Sequence, residues 1–224
     1  MFVKSCLKTR NEPKTRNEPM TNVQLYLATP VLDDAEGFLP ALDAALGAGR
    51  PASLLLRLSS QDEESAKRLV RKIALRTEPL GVALVIDGSA ELALAANVDG
   101  AQIAGAGPAL KSAVERLSPR HIVGAAGLTT RHDAMNAGEI GADYVLFGDG
   151  SAPLSEDALE ERLRWWAEVF TTPCVAFAST LAQAPRLARA GADFVMLGDC
   201  VWGDSRGPGA AVKDALDALT REEA

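Results

Sequence analysis

The chain has 224 residues and a formal net charge of −7; 47% of its residues are hydrophobic and 24% are charged. This length and apolar content predict one domain with its own core, and no apolar run approaches the roughly 20 residues that span a bilayer. An acidic chain without clustered Lys and Arg is not expected to bind nucleic acid or an anionic membrane surface, so we predict a cytoplasmic protein with a small-molecule ligand.

The N-terminal segment differs in composition from the rest of the chain. The sequence KTRNEP occurs at 8–13 and again at 14–19, without apolar periodicity. The first 19 residues carry five basic and two acidic side chains, which leaves a net charge of −10 for the remainder. We predict that residues 1–19 form a disordered extension, that translation starts at Met20, and that residues 20–224 form the folded domain. A basic targeting or docking arm is the alternative.

From Val23 onward, short runs rich in β-branched residues alternate with amphipathic segments, a pattern typical of a parallel sheet covered by helices. Eight such units predict an α/β fold, the single-domain (β/α)8 TIM barrel. An open, doubly wound sheet is disfavoured because no Gly-rich dinucleotide fingerprint follows the first strand. The predicted strands are Val23–Thr29, Ser53–Leu58, Val82–Asp87, Gly100–Ala104, Ile122–Gly127, Tyr144–Gly148, Cys174–Ser179 and Phe194–Asp199.

Local signals predict where several helices begin and end. Ser60-x-x-Glu63 and Thr130-x-x-Asp133 have the spacing of capping boxes, in which each side chain accepts a hydrogen bond from an unpaired backbone N–H. Three glycines are predicted to end helices, because glycine adopts the left-handed conformation at low cost: Gly47, Gly141 and Gly191.

An internal repeat supports the same architecture. The sequence IGADYVLFG at 140–148 recurs as AGADFVMLG at 190–198, and a weaker copy lies at 97–104. Each copy places an aspartate on a helix-to-strand turn, which is the barrel end opposite the active site of such folds. We therefore interpret Asp99, Asp143 and Asp193 as turn residues and not as metal ligands.

Reactive side chains of a barrel lie at the C-terminal ends of the strands and in the loops that follow. Arg57 interrupts an apolar run near such an end, where its charge needs a partner. Its candidate partners are Asp87 on the neighbouring strand and a ligand anion. His132 follows the fifth strand and is the candidate acid–base histidine, whereas His121 lies at the opposite end of the barrel.

Phosphate sites in barrels usually follow the seventh and eighth strands, where helix N-termini offer free N–H groups. Ser179 and Thr180 suit that role, with helix capping alone as the alternative. Gly198 permits close approach of a ligand, whereas Asp199 would repel an anion if it pointed inward. Other polar residues at strand ends are candidate substrate contacts: Ser59, Ser89, Gln102 and Thr129.

The cysteines and tryptophans suggest less about function. Three widely spaced cysteines fit neither a disulfide framework nor a C-x-x-C metal site, so we expect reduced thiols and leave the reactivity of Cys200 open. Trp165 and Trp166 are adjacent on a predicted helix and cannot face the same way. One should pack inside, while the other is expected to be partly exposed, with a homodimer contact as the alternative.

Four segments carry a family resemblance: LYLATP at 25–30, LLRLS at 55–59, VIDGSAELA at 85–93 and DGAQIAG at 99–105. They resemble the motifs L-Y-L-V-T-D/P, Q-L-R-E-K, L-I-N-D-R-x-D-L-A and D-G-V-H-L-G-Q of the thiamine phosphate synthases and the related thiazole tautomerases. The resemblance implies a transferase that joins a pyrimidine methyl pyrophosphate to a thiazole phosphate. Mg²⁺ would hold the pyrophosphate as it departs.

This sequence departs from the family at the charged positions. The family's lysine in the second motif is Ser59, and its arginine in the third motif is Ser89. Its two magnesium-binding carboxylates fall on Gly88 and Gly107, the loop at 148–153 has no base, and the phosphate turn after the seventh strand reads AST at 178–180. Since Mg²⁺ and basic side chains supply most of the charge stabilisation, we expect the inherited transfer to be weak or lost.

Three hypotheses for the function follow. The first is a divergent thiamine phosphate synthase-like barrel that binds a phosphorylated heterocycle at its mouth, with Arg57, Asp87 and His132 as candidate catalytic residues. The second is a metal-independent isomerase similar to the thiazole tautomerases, with Asp87 or His132 as the proton shuttle. The third is a non-catalytic barrel that binds a ligand or a partner protein.

Overall fold

A computed structural model of the chain describes residues 23–59 and 62–220. Eight parallel strands pair in sequence order and close into a barrel, which confirms the predicted fold. The predicted extension at 1–19, Met20 and Ser60 lie outside the described residues. The strands are β1 (Gln24–Leu32), β2 (Ser53–Leu58), β3 (Ala83–Asp87), β4 (Gly100–Ala104), β5 (Ile122–Ala126), β6 (Tyr144–Phe147), β7 (Cys174–Ala178) and β8 (Phe194–Leu197).

Within the described ranges, seven α-helices connect consecutive strands and two more follow the last strand. The connecting helices are α1 (Leu39–Ala48), α2 (Glu63–Thr77), α3 (Ala90–Ala96), α4 (Pro108–Leu117), α5 (Arg131–Ile140), α6 (Glu156–Val169) and α7 (Ala184–Arg189). After β8, the four-residue helix α8 (Asp199–Trp202) lies at the C-terminal end of the barrel, and α9 (Pro208–Thr220) completes the outer ring. Within the described residues, none of the helices is long and apolar enough to cross a bilayer.

Two buried layers stabilise the barrel, because alternate residues of each strand point to opposite faces of the sheet. Leu54, Leu56 and their equivalents on other strands pack outward against the apolar stripes of the helices. The inward layer fills the barrel interior with side chains that include Tyr26, Tyr144 and Met196. The interior is therefore packed, and ligand access is expected at the mouth.

The first strand continues beyond its predicted end at Thr29. Ala28 pairs with Leu55 and Val31 pairs with Arg57, so three residues of β1 span the same distance as two residues of β2. This bulge accommodates Pro30, which has no N–H to donate to the ladder. The predicted strand end at Thr29 was therefore three residues too early, because the bulge lets β1 continue past Pro30 to Leu32.

The helix ends partly follow the predicted signals. Thr130 and Asp133 form the predicted capping box, and Gly141 ends α5 with a left-handed φ of 104°. The described part of α2 begins at Glu63 and is capped by Asp62, whose carboxylate accepts a hydrogen bond from the N–H of Ser65 at 2.9 Å, while the predicted cap Ser60 lies outside the described residues. Gly47 lies inside α1 instead of ending it.

The three repeated aspartates close the N-terminal end of the barrel, as predicted for turn residues. Each precedes an even-numbered strand and accepts a hydrogen bond from a backbone N–H of the strand before it. The donors to Asp99, Asp143 and Asp193 are the N–H groups of Leu84, Val123 and Cys174, at 2.8–2.9 Å. The backbone N–H of each aspartate donates to the carbonyl of the same partner, so each turn is joined to its neighbouring strand by a pair of bonds.

Replacement of one of these aspartates tests their structural role. We expect Asp99→Ala to lower the free energy of unfolding by about 1–3 kcal/mol, because the N–H of buried Leu84 loses its acceptor. Urea unfolding followed by circular dichroism measures the change. Glu115→Ala, which removes an exposed carboxylate from α4, is the control and should change stability by less than about 0.5 kcal/mol. Equal effects of the two substitutions would contradict the role assigned to Asp99.

Candidate functional site

The C-terminal ends of the strands form the barrel mouth, and its charge is strongly one-sided. Arg57 is the one basic residue in the eight strands, and the segments that link each strand to the next helix contain none. Acidic side chains occupy several of the same positions, and Asp199 lies two residues after the end of β8. The mouth therefore combines the Arg57 guanidinium with the carboxylates of Asp87, Asp149 and Asp199. The acidic residues after β1 and β2 belong to a separate surface depression: Asp33, Asp34 and Asp62 line it together with Arg68 and Lys72 of α2, and Glu36 pairs with Lys72.

Arg57 is held in place by β1. Its Nε donates to the carbonyl oxygen of Thr29 at 2.5 Å, and its backbone N–H donates to the hydroxyl of the same residue at 3.0 Å. One terminal nitrogen, Nη2, lies 3.4 Å from Oδ1 of Asp199. Of the two candidate partners of Arg57, Asp87 forms no ion pair with it in the described residues, although the charge of Arg57 still acts on that carboxyl. The carboxylate that meets Arg57 comes from α8, because barrel closure places β8 beside β1.

A buried hydrogen-bond chain leads from the barrel interior to Asp87. Tyr144 donates its hydroxyl proton to Oε1 of Gln102 at 3.0 Å. The hydroxyl of Tyr26, 3.1 Å from that of Tyr144, must then donate to it, since a tyrosine has one hydroxyl proton. The amide nitrogen of Gln102 in turn donates to Oδ1 of Asp87 at 3.3 Å. The chain therefore presents Asp87 as an acceptor and leaves its second oxygen for a ligand.

The environment of Asp87 changes its acidity. Desolvation at the end of β3 raises the pKa of this carboxyl, while the bond from Gln102 and the charge of Arg57 oppose the rise and Asp149 adds to it. A carboxyl with a raised pKa is better suited to exchange protons near neutral pH than an ordinary aspartate. Burial also raises the pKa of Tyr26 and of Tyr144 well above the usual tyrosine value, so both stay protonated and act as donors.

An open cleft of about 280 Å³ lies beside the mouth, between the ends of β6 and β7 and the helices α6 and α7. Leu159, Phe177 and Leu187 form apolar walls, and Ser179 and Arg186 lie among its polar residues. This is a concave surface of the kind that takes a small heterocycle.

The groups predicted to bind phosphate after β7 already have an acceptor. Oε1 of Gln183 accepts hydrogen bonds from the N–H of Ser179 at 2.8 Å, the hydroxyl of Ser179 at 3.0 Å and the N–H of Thr180 at 3.2 Å. The side-chain nitrogen of Gln183 is bonded to Glu156, which also pairs with Arg186. In this structure these residues cap the following turn, and a phosphate would have to displace Gln183 to use the same donors.

The carboxylate of Asp149 accepts hydrogen bonds from a similar set of backbone N–H groups near the ends of β5 and β6. Its two carboxylate oxygens accept hydrogen bonds from the N–H groups of Gly127, Ser151 and Ala152, at 2.8–2.9 Å. The carboxylate thereby fastens the loop after β6 to the end of β5. The donors that a phosphate would need are again occupied by a side chain of the protein.

Other predicted site residues are placed separately by the structure. Ser89 caps α3 by accepting from the N–H of Leu92, and the hydroxyl of Ser59 bonds to the carbonyl of Leu32 at 3.4 Å. Thr129 donates to Asp133 at 2.9 Å. His132 is exposed on α5, where its Nε2 lies 3.1 Å from the amide of Asn136, and it does not contact Arg57 or Asp87.

Two further residues near the mouth are relevant to its chemistry. Gly198 has Phe177 and the carbonyl of Ala28 as neighbours at 3.7–3.8 Å from the position of a β-carbon, so a side chain there would reach the top of the interior. Burial raises the pKa of the Cys200 thiol, which keeps it in the less reactive protonated form near neutral pH.

The residues at the expected magnesium positions do not fit the metal. Gly88 and Gly107 carry no donor side chain, and no atom lies within 4 Å of a β-carbon placed on either. In the described part of the chain, no group of three or more His, Cys, Asp or Glu side chains is arranged so that it could hold a metal ion. Mg²⁺ prefers carboxylate oxygens, so this donor set argues against a site like the one that the family resemblance implies.

Comparison with known proteins identifies similar sequences. A family model described as thiamine monophosphate synthase matches residues 25–201. The thiamine-phosphate synthase of Rhodospirillum centenum is 38% identical over 200 residues, covering 87% of this chain and 97% of that protein. The thiamine-phosphate synthase of Hyphomonas neptunium is 36% identical over 210 residues, covering 88% and 93%.

Solved structures share the fold at lower sequence identity. Thiamine phosphate pyrophosphorylase from Pyrococcus furiosus superposes with a TM-score of 0.76 at 18% identity, over 92% of this chain and 99% of that one. The 3-hexulose-6-phosphate synthase of Salmonella typhimurium gives a TM-score of 0.70 at 11% identity, over 89% and 100%. At these identities the likeness establishes the barrel alone.

Proposed function

The chain belongs to the thiamine monophosphate synthase family of thiamine biosynthesis, and from this premise we propose that it is a divergent, cytoplasmic member that binds a phosphorylated heterocycle at the barrel mouth. The Mg²⁺-dependent transfer of the classical reaction is weak or lost. The observation that carries this proposal is the charge of the mouth, where one clamped guanidinium faces an excess of carboxylates and glycines stand at both magnesium positions.

Arg57 is the residue best placed to anchor a ligand phosphate. Its guanidinium is oriented by Thr29, and its contact with Asp199 is long and open to solvent, since the Asp199 side chain is 85% exposed. Exposed ion pairs of this kind cost little to break, so a phosphate can replace the carboxylate. The heterocycle would then extend toward Asp87 or into the cleft beside β7, where Phe177 offers an apolar surface.

The same mouth is poorly equipped for departure of a pyrophosphate. That leaving group develops charge that Mg²⁺ and several basic side chains normally stabilise, and each lost contact of this type costs on the order of 10²–10³-fold in rate. Arg57 alone cannot replace them. The residues of this chain are therefore suited to binding and orienting a heterocycle more than to displacing pyrophosphate.

A coupled assay with both authentic substrates and Mg²⁺ tests the proposal. We expect turnover at least about 10³-fold below that of a family member with both carboxylates, because two metal positions and the basic loop are replaced together. Calorimetry should nevertheless detect binding of the thiazole phosphate by the wild-type protein and its loss in Arg57→Gln. Robust Mg²⁺-dependent synthesis of thiamine phosphate would refute the loss of transfer, and absence of binding would refute the proposed ligand.

Restoration variants provide a matched control for that assay. Gly107→Asp and Gly88→Asp place carboxylates where nothing lies within 4 Å, so neither should disrupt packing. The φ of Gly88 is 83°, a conformation that aspartate tolerates better than most residues, at a cost of about 1–2 kcal/mol. An increase in Mg²⁺-dependent rate in the double variant would identify the lost carboxylates as one cause of the low activity.

A metal-independent isomerase is the second candidate function, favoured by the raised pKa of Asp87. The hydrogen bond from Gln102 orients this carboxyl toward the mouth, as a proton shuttle requires. If this alternative is correct, Asp87→Asn abolishes thiazole isomerisation while His132→Ala leaves it largely intact. Unchanged isomerisation in the double variant would eliminate it.

A further inference from the structure

Two consecutive carbonyl groups of β1 bring the Arg57 guanidinium and the Asp199 carboxylate together. The carbonyl of Thr29 accepts from Nε of Arg57, and the carbonyl of Ala28 accepts from Nε1 of Trp202 at 2.6 Å. Trp202 is the last residue of α8, the short helix that Asp199 begins. The same strand end therefore positions both partners of the ion pair.

The helix that carries Asp199 is itself fixed. The ring of Trp202 packs edge-on against Phe38, with 4.7 Å between ring centroids, and Val201 is fully buried. Backbone bonds join Val201 to Gly198 and Gly203 to Asp199. Since the helix is held at three points, the side chain of Asp199 can rotate away from Arg57 only about its own bonds, and the backbone keeps the carboxylate near the guanidinium.

The geometry of the ion pair between Arg57 and Asp199 allows a phosphate to replace the carboxylate. The 3.4 Å between Nη2 and Oδ1 exceeds the 2.7–2.9 Å typical of a charge-assisted hydrogen bond. The Arg57 side chain is 30% exposed and that of Asp199 is 85% exposed. Solvent and solutes can therefore reach the position that the carboxylate occupies, and an incoming phosphate would face the same guanidinium nitrogen.

We propose that Asp199 is a specificity-determining residue that competes with the ligand phosphate for Arg57. This inference rests on the proposed binding of a phosphorylated heterocycle and specifies how the mouth selects it. Among the described residues, Arg57 is the only basic side chain that the strands and the loops after them supply, so its pairing with Asp199 neutralises the positive charge at the strand ends. Inorganic phosphate alone then binds poorly, whereas a phosphate ester whose ring also contacts the mouth or cleft can displace the carboxylate.

Calorimetric titrations with inorganic phosphate and with the thiazole phosphate test this competition in the wild-type protein and in three variants of the full chain. Asp199→Asn keeps the size of the side chain and removes its charge, so we expect inorganic phosphate to bind about threefold to fivefold more tightly, as loss of an exposed ion pair allows, with a smaller gain at high salt. Asp33→Asn makes the same change of net charge at an exposed position after β1, without contact to Arg57, and should leave the affinity unchanged. The double variant Arg57→Gln, Asp199→Asn should lose the gain.

The outcomes separate this inference from the proposed function. A gain in Asp199→Asn that is absent in Asp33→Asn and in the double variant supports the competition. Equal gains in Asp199→Asn and Asp33→Asn overturn it, because net charge would then explain the effect. No gain in Asp199→Asn, with Arg57-dependent binding of the thiazole phosphate, overturns the inference and leaves the proposed function intact. A gain for inorganic phosphate, when no variant binds the thiazole phosphate, supports competition between Asp199 and an anion for Arg57, but it overturns both the proposed ligand and the role of Asp199 in selecting it.

Discussion

Trp166→Ala is expected to lower the free energy of unfolding by about 3–5 kcal/mol, as large-to-small substitutions of buried aromatic residues do. Trp166 is fully buried in α6 and stacks on Phe170, with 4.1 Å between ring centroids. It also packs edge-on against Phe147 at the end of β6, and its Nε1 donates to the carbonyl of Thr172 at 2.7 Å. Alanine would leave a cavity between helix and sheet and an unpaired carbonyl.

The adjacent Trp165 is the matched control. Its ring is half-buried, lies 4.7 Å from the guanidinium of Arg131 and packs edge-on against Phe170 and Trp166, with 5.4 and 5.8 Å between ring centroids. Because part of this ring already faces solvent, Trp165→Ala should cost less than the substitution at 166, by about 1 kcal/mol or more. Urea unfolding followed by near-ultraviolet circular dichroism measures both. Similar losses of unfolding free energy in the two variants would contradict the difference in burial between the two rings.

Gly124→Ala should lower the free energy of unfolding almost as much, because it overfills the core instead of leaving a cavity in it. A β-carbon at Gly124 on β5 would lie 2.1 Å from Cζ and 2.3 Å from the hydroxyl oxygen of Tyr144. Overpacking of a filled core costs about 1–3 kcal/mol. Displacing the ring of Tyr144 would also break its bonds to Gln102 and Tyr26, and each unpaired buried group costs about 1–3 kcal/mol more. We expect a total loss of about 3 kcal/mol or more.

Two further variants test that explanation. Gly47→Ala lies inside α1, where no atom is within 4 Å of the added carbon, and should stabilise the protein by about 0.5–1 kcal/mol. Combining Gly124→Ala with Tyr144→Leu removes the clash, so the double variant should be less destabilised than the sum of the single variants. Additive effects would mean that the cost at 124 does not arise from Tyr144.

Much of the fold could be predicted because the signals are local. Alternating apolar runs and amphipathic segments placed all eight strands within a few residues, and β2 and β4 coincide with their predicted bounds. The repeated aspartates were recognisable as turn residues from their position before a strand. Errors arose where a residue's local preference was overridden by its surroundings, as at Pro30, which the bulge in β1 accommodates, and at Gly47, which continues a helix.

The candidate site was only partly predictable. Arg57 was singled out because it interrupts an apolar run, and Asp87 and Gln102 because they are polar residues near strand ends. The structure brings Asp87 and Gln102 into contact. The roles of Tyr26 and Tyr144 were missed, since a tyrosine in a strand is ordinarily packing. Their inward positions in two strands were the available signal, but no local pattern indicates that two hydroxyl groups from residues 118 positions apart will meet.

The sequence by itself determined the number and order of the β/α units, the family to which the chain belongs, and the absence of carboxylates and lysines where the family resemblance expects them. Each of these depends on residue identity and on spacing along a short stretch of chain. Closure of the barrel decided which side chains form ion pairs and hydrogen bonds with one another. It placed β8 beside β1, so Arg57 pairs with Asp199, 142 positions away along the chain, and not with Asp87 on the adjacent strand. Such pairing depends on long-range geometry, because charges and hydroxyl groups bond to whatever the folded chain brings within about 3 Å of them.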